Sequence, residues 1–224
     1  MRFHLIIPSS GTGIRFGSRI PKQYLKIGNN EIIAHTISRF IGIKNIRTIY
    51  IPARPERFEY IINMLESNGF DRKKIFLTKG GETRQHSVHN ALKIIESNKE
   101  DFVIVHDAVR PYVTSDLIKR CMEEAVKYRC VVPCVNSADT VKIPKKNLYV
   151  RKTLPRESVF LAQTPQIFRL DILKKSYNYA AVKGFLGTDD SSVVEYAGFK
   201  VKIIEGEKSN IKITSRADIL NNLI

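Results

Sequence analysis

Short apolar runs alternate with segments of helical periodicity along most of this chain, and that alternation leaves few folds open. Residues 3–8 read as a buried strand, 32–40 as a helix, 47–52 as a second strand and 57–67 as a second helix. A strand at 74–78 runs through Gly80-Gly81 into a helix over 83–96, and a continuous apolar strand spans 102–106. A helix over 115–128, with Ser115 as its expected N-cap, leads to a fifth strand at 131–135. This order predicts the α/β class: a Rossmann-like, mostly parallel sheet with helices on both faces. Ligands in such sheets gather at the carboxyl ends of the strands.

The rhythm breaks between about 136 and 160. A strand at 140–143, a turn at 144–148 and a strand at 149–154 are polar and basic, and too long for a simple connection. They predict a protruding β-hairpin arm. Two strands alone are marginal in water, so a partner surface is expected to support them. Helices at 170–182 and 189–196, a strand through 200–204 and a helix at 216–223 complete the reading. With 224 residues, the expectation is one domain over 1–224 carrying a hairpin arm at about 136–160.

The first strand ends in Pro8-Ser9-Ser10-Gly11-Thr12-Gly13-Ile14-Arg15, and Pro21-Lys22-Gln23-Tyr24-Leu25 follows. Small residues after a strand expose a row of backbone N–H groups that can wrap a polyphosphate. Arg15 and Lys22 add fixed positive charge. The spacing is not that of a P-loop, and Phe16 stands where a dinucleotide fingerprint needs its third glycine. The chemistry predicted is a nucleoside triphosphate site.

His106-Asp107-Ala108-Val109-Arg110-Pro111 ends the fourth strand. Asp107 there can hold Mg²⁺, which favours one or two carboxylates together with phosphate oxygens. Ala108 leaves room for a substrate and Arg110 can hold a second anion; equally, Asp107 can cap the next turn and pair with Arg110. Gly80-Gly81-Glu82-Thr83-Arg84-Gln85-His86-Ser87 either reads a base edge or simply starts a helix. Gln163-Thr164-Pro165-Gln166 and Gly187-Thr188-Asp189-Asp190 set hydroxyls and carboxylates beside turns, where Thr188 or Asp189 also suits an N-cap. Lys212 lies in an alternating, strand-like stretch at 210–214.

Composition removes other classes. Lys and Arg total 37 against 22 Asp and Glu, a formal charge of +15 that favours anionic ligands. The basic residues are scattered, and no aromatic-interleaved stretch resembles an RNA-recognition motif. No apolar run approaches the roughly 20 residues of a membrane helix, and no signal pattern opens the chain, so a cytoplasmic protein is expected. Cys121, Cys130 and Cys134 lack zinc-type pairing, and the last two suit buried strand thiols.

Taken together, eight motifs resemble the 2-C-methyl-D-erythritol 4-phosphate cytidylyltransferases of the non-mevalonate isoprenoid pathway. They are Gly-x-Gly-x-Arg, Pro-Lys-Gln-Tyr-Leu, Gly-Gly-x-x-Arg-x-x-Ser, His-Asp-Ala-x-Arg-Pro, Asp-Thr-Val-Lys, Gln-Thr-Pro-Gln, Thr-Asp-Asp and Glu-Gly-x-x-x-Asn-Ile-Lys-Ile-Thr, in that order. The resemblance runs from Leu5 to about Leu220. It implies a nucleotidyltransferase fold and a homodimer whose hairpin arm reaches the neighbouring subunit. It also implies transfer from CTP to a polyol phosphate with release of pyrophosphate.

For individual residues, the resemblance implies that Arg15 and Lys22 stabilise the transition state and Asp107 holds Mg²⁺. Pro8, Ser9, Ser10, Gly11, Thr12 and Gly13, with Ala108, would cradle the nucleotide. Gly81, Glu82, Arg84 and Ser87 would select cytosine. Arg110, Thr140, Arg156, Thr164, Thr188 and Lys212 would surround the second substrate, with Arg156 and Lys212 gripping its phosphate. Two departures stand out. Ser9-Ser10 replaces the family's usual alanine or glycine pair, and Val109 stands where alanine is common. The nearest rival reading is a ribitol-5-phosphate cytidylyltransferase; a basic RNA-binding module rests on the +15 charge alone.

Overall fold

Strands β1 (Phe3–Ile6) and the later Phe102–Val105 are buried at every position and lie side by side in parallel, as apolar runs covered on both faces must. The computed structural model describes residues 1–11, 20–96, 98 and 100–220. After β1, a small hairpin of β2 (Lys26–Ile27) and β3 (Asn30–Glu31) leads into α1 (Ile32–Ile41). Then come β4 (Ile46–Ala53), α2 (Phe58–Ser67), β5 (Ile75–Lys79), α3 (Arg84–Ile94), β6 (Phe102–Val105), α4 (Ser115–Tyr128) and β7 (Cys130–Asn136). The second half adds β8 (Lys142–Pro144), β9 (Val150–Thr153), β10 (Phe160–Ala162), β11 (Gln166–Arg169), α5 (Leu170–Lys183), α6 (Asp190–Tyr196), β12 (Lys202–Glu205) and α7 (Arg216–Leu220).

The main sheet runs β10-β7-β11-β6-β1-β4-β5, and β12 pairs with β7. Pairings within β6-β1-β4-β5 are parallel, while β11 enters antiparallel between β6 and β7. Alternate residues of β1 face different layers: Leu5 packs with α1, α2 and α4, and Ile6 with α3, α5 and α6. Helices therefore cover both faces. Strands β10 and β11 escape the sequence reading because Gln163-Thr164-Pro165 splits one antiparallel run into two short pieces.

Three local expectations are corrected. The N-cap of α4 is Thr114, whose hydroxyl accepts the Leu117 N–H at 3.0 Å, and Ser115 is the first helical residue. Residues 211–214 are irregular and not strand, because they pack against the site with little sheet pairing of their own. The strands of the basic segment are shorter than expected: β8 and β9 form a separate, wholly exposed antiparallel pair. The cysteines are buried, Cys130 and Cys134 on β7 as expected. Among the described residues no helix is long and apolar enough to cross a membrane.

Candidate active site

The segments leaving β1, β4, β5 and β6 at their carboxyl ends converge on a cleft with two lobes. The first, of about 350 Å³, is bounded by Ser10 and Gly11 after β1, Arg54 after β4, Gly81–Thr83 after β5, and Lys22. The second, of about 250 Å³, is bounded by Arg110, Gln163, Thr164, Thr188 and Asp189. Arg84, Asp107 and Lys212 line both.

Asp107 is the electrostatic centre. Its Oδ1 lies 3.1 Å from Arg84 Nε, and its Oδ2 lies 2.9 Å from Lys212 Nζ and 3.5 Å from Arg110 Nε. Burial alone would push its carboxyl up, but Arg84, Lys212 and Arg110 outweigh it and hold the group far below the ordinary carboxylate range. Arg84 itself is clamped from the other side, 2.7 Å from the fully buried Asp190. Burial would lower its pKa, yet Asp190 and Asp107 drive it upward. Burial lowers the pKa of Arg110 against the opposing pull of Asp107, and its Nη1 donates to the Asn210 carbonyl at 2.7 Å.

Backbone and small side chains build the first lobe. Gln23 Nε2 donates to the carbonyls of Ser9 (2.8 Å) and Gly11 (2.9 Å), pinning the loop after β1. The Ser9 hydroxyl donates to the Tyr24 hydroxyl at 2.9 Å, away from the first lobe. Ser10 meets Ser87 hydroxyl to hydroxyl at 2.6 Å. Ser87 also accepts the Gly81 N–H at 3.0 Å and donates to the Thr83 carbonyl at 2.9 Å. A Cβ on Gly80 would sit 2.5 Å from Ser10 Cβ, and one on Gly81 would strike His86, so this junction requires glycine. Lys22 Nζ reaches the Ile213 carbonyl at 3.3 Å, joining two chain segments at the cleft wall.

A buried chain of hydrogen bonds fixes the exit of β6. The Asp107 N–H donates to Thr164 Oγ1 at 3.1 Å, and Thr164 Oγ1 lies 3.0 Å from His106 Nδ1. His106 Nε2 lies 3.1 Å from the Arg110 carbonyl, an acceptor, so the imidazole carries its proton on Nε2 and Thr164 donates to Nδ1. Burial drives the His106 pKa down to about 4, so the ring is neutral near pH 7. The Thr164 hydroxyl is thus spent on holding Asp107 in place.

Of the residues expected at the site, Pro8, Ser10, Gly11, Lys22, Gly81, Glu82, Arg84, Asp107, Ala108 and Lys212 line the first lobe, and Arg110, Thr164 and Thr188 the second. Thr12, Gly13 and Arg15 lie outside the described residues. Ser9 and Ser87 are buried and line neither lobe, Ser9 facing instead a neighbouring cavity beside Tyr24 and Arg57. Thr140 and Arg156 are exposed near the hairpin and line neither lobe. Sequence reading gave no role to Gln23, Arg54 or Asp190. Gln23 lies within the Pro-Lys-Gln-Tyr-Leu motif and Arg54 directly follows β4, so a signal was available for both. Asp190 looked like part of a helix start, and its partner lies far away in the chain.

A family model described as 2-C-methyl-D-erythritol 4-phosphate cytidylyltransferase matches residues 3–222. The chain is 38% identical over 222 residues to the protein of that name from Geotalea uraniireducens, covering 98% of this chain and 94% of that one. It matches the crystal structure of Francisella tularensis 2-C-methyl-D-erythritol 4-phosphate cytidylyltransferase with a TM-score of 0.85 at 35% identity, covering 99% and 98%. It also matches the 4-diphosphocytidyl-2C-methyl-D-erythritol synthase of Anaerococcus prevotii with a TM-score of 0.85 at 31% identity, covering 98% and 95%.

Proposed function

This chain belongs to the 2-C-methyl-D-erythritol 4-phosphate cytidylyltransferase family, and from that premise we propose a reaction for its two-lobed cleft. The enzyme joins CTP and 2-C-methyl-D-erythritol 4-phosphate into 4-CDP-2-C-methyl-D-erythritol and pyrophosphate, a step of isoprenoid synthesis. The observation that carries this reading is the sharing of Arg84, Asp107 and Lys212 by both lobes. Two phosphate-bearing molecules placed in those lobes meet at one charged wall.

The 4-phosphate oxygen attacks the α-phosphorus of CTP, a P–O bond forms, and the bond to the β-phosphate oxygen breaks as pyrophosphate leaves. The attacking group is already an anion at neutral pH, so the step needs positioning and positive charge more than a base. The neutral, buried His106 has both ring nitrogens engaged and serves the scaffold. Lys22 and Arg15 stabilise charge gathering on the transferring phosphoryl group. Lys212, with a side chain 41% exposed, is placed to follow a phosphate arriving in either lobe.

Asp107 is the residue suited to Mg²⁺. Among the described residues no cluster of three or more His, Cys, Asp or Glu could cage a metal ion. One firmly ionised carboxylate beside two anion-sized lobes suits magnesium, which completes its shell with substrate phosphates and water. The ion would neutralise triphosphate charge. In the same reading the enzyme is a homodimer whose hairpin arm serves the neighbouring subunit's second lobe; Arg156 and Thr140, exposed and lining neither lobe of their own subunit, are consistent with it.

A pyrophosphate-release assay across the four nucleoside triphosphates and two polyol phosphates tests the reading. CTP is expected to be preferred, with kcat/KM for methylerythritol phosphate at least about tenfold above that for ribitol 5-phosphate, a transition-state preference of ~1.4 kcal/mol. A ratio near or below one would reject the substrate assignment.

A further inference from the structure

Asp190 is the most deeply buried carboxylate near the cleft, with no exposed surface, and it lines neither lobe. A buried charge is tolerated only when it is paired and hydrogen-bonded. Here Oδ2 faces Arg84 Nη2 at 2.7 Å and Oδ1 accepts a hydrogen bond from the buried Tyr177 hydroxyl. Tyr177 and the nearby Val193 and Val194 belong to the apolar cluster under α5 and α6. Arg84 uses a different nitrogen, Nε, on Asp107. One guanidinium therefore spans a carboxylate inside the protein and a carboxylate at the junction of the lobes.

An arginine attached only to Asp107 could swing with it toward an incoming phosphate. The second anchor removes that freedom, because a planar guanidinium held at two of its nitrogens by separate carboxylates cannot rotate toward one without leaving the other. We propose that Asp190, oriented by Tyr177, is a positioning residue: it fixes Arg84 and, through Arg84, the aim of the Asp107 carboxylate at the meeting point of the two substrates. This rests on the cytidylyl-transfer reading above and adds to it a residue that never touches substrate. The consequence is kinetic. Loss of the anchor misplaces groups that act as the phosphoryl group transfers, so kcat falls more than the KM values rise.

Gln85 supplies a matched control. It ties the same helix turn to the same loop, donating to the Phe185 carbonyl at 2.9 Å and accepting the Gly187 N–H at 2.8 Å, without contacting Arg84's carboxylates. Asp190→Asn and Gln85→Ala are to be compared with wild type for kcat, both KM values and thermal melting. Wild-type turnover of CTP with methylerythritol phosphate tests the reaction itself; the variant-to-wild-type ratios test the anchor. Folded Asp190→Asn is expected to lose at least tenfold in kcat with each KM changed less than threefold, while Gln85→Ala melts earlier yet keeps kcat within threefold. A kcat within threefold for Asp190→Asn, or an equal loss in both variants, would overturn the proposal. If Asp190→Asn does not fold, Tyr177→Phe takes its place, with a kcat loss of threefold or more expected and an unchanged kcat fatal to the idea.

Discussion

Two basic regions of this molecule use their charge in opposite ways. At the exit of β6, Arg84, Arg110 and Lys212 crowd one buried carboxylate, and both arginines are aimed by a second contact, Arg84 to Asp190 and Arg110 to the Asn210 carbonyl. On β8, β9 and the turn between them, Lys142, Lys145, Lys146, Arg151 and Lys152 stand in solvent. There a contact such as Lys142 Nζ to Thr153 Oγ1 at 2.8 Å is an exposed hydrogen bond between side chains. Exposed charges are screened within about 8–10 Å at physiological salt. Buried ones keep their full effect, and their directions are set before substrate arrives. The formal +15 is therefore a poor guide to function, and the fixed geometry of a few cations is a good one.

The contrast can be broken or sharpened by experiment. Acid should strike the cleft first. His106 titrates near 6.5 when unfolded and about 4 when folded, so its contribution is intact above 6.5 and is lost as pH falls toward 4. That window corresponds to about 3 kcal/mol of stability. Denaturant melts at stepped pH should show the slope, and His106→Gln should flatten it. An unchanged slope in the variant would detach acid sensitivity from the cleft.

Next in size is Lys22→Ala, expected to lower kcat at least about a hundredfold, or ~2.7 kcal/mol, with little change in melting temperature. If only KM for CTP rose, Lys22 would bind nucleotide without acting on the transition state. The hairpin enters through Arg156. Arg156→Ala and Lys22→Ala, each inactive alone, should recover about a quarter of wild-type activity when mixed with free subunit exchange, because half the dimers then hold one intact site. No recovery despite demonstrated exchange would make the hairpin a bystander. The smallest effect is expected for Lys145→Ala with Lys146→Ala, where kcat should stay within about threefold because exposed charges contribute little. A larger loss would show that the turn carries chemistry after all.

How much of this was legible in the residues varies with the range of the interaction. Helix α1 was read to within one residue because Ile33, Ile37 and Phe40 repeat at helical spacing on one face. Strand β6 announced itself as four apolar residues followed by His106 and Asp107. Strands β10 and β11 did not, since Phe160-Leu161-Ala162 and Gln166-Ile167-Phe168-Arg169 are too short to show a period. Ser9 and Ser87 looked equally suited to face a nucleotide, and only packing against Tyr24 and Gly81 turned their hydroxyls elsewhere.

The chain itself determined the alternation of strands and helices in its first half, the glycine-bearing loops at strand ends and the family to which it belongs, because those properties reside in neighbouring residues and their spacing. What the tertiary structure alone decided is which charges confront each other. Lys22 meets Ile213 across 191 positions, and Arg84 is held between Asp107 and Asp190, far apart in sequence. No local pattern encodes such meetings, since they arise only when the sheet brings the strand ends together and burial strips water from the groups that remain.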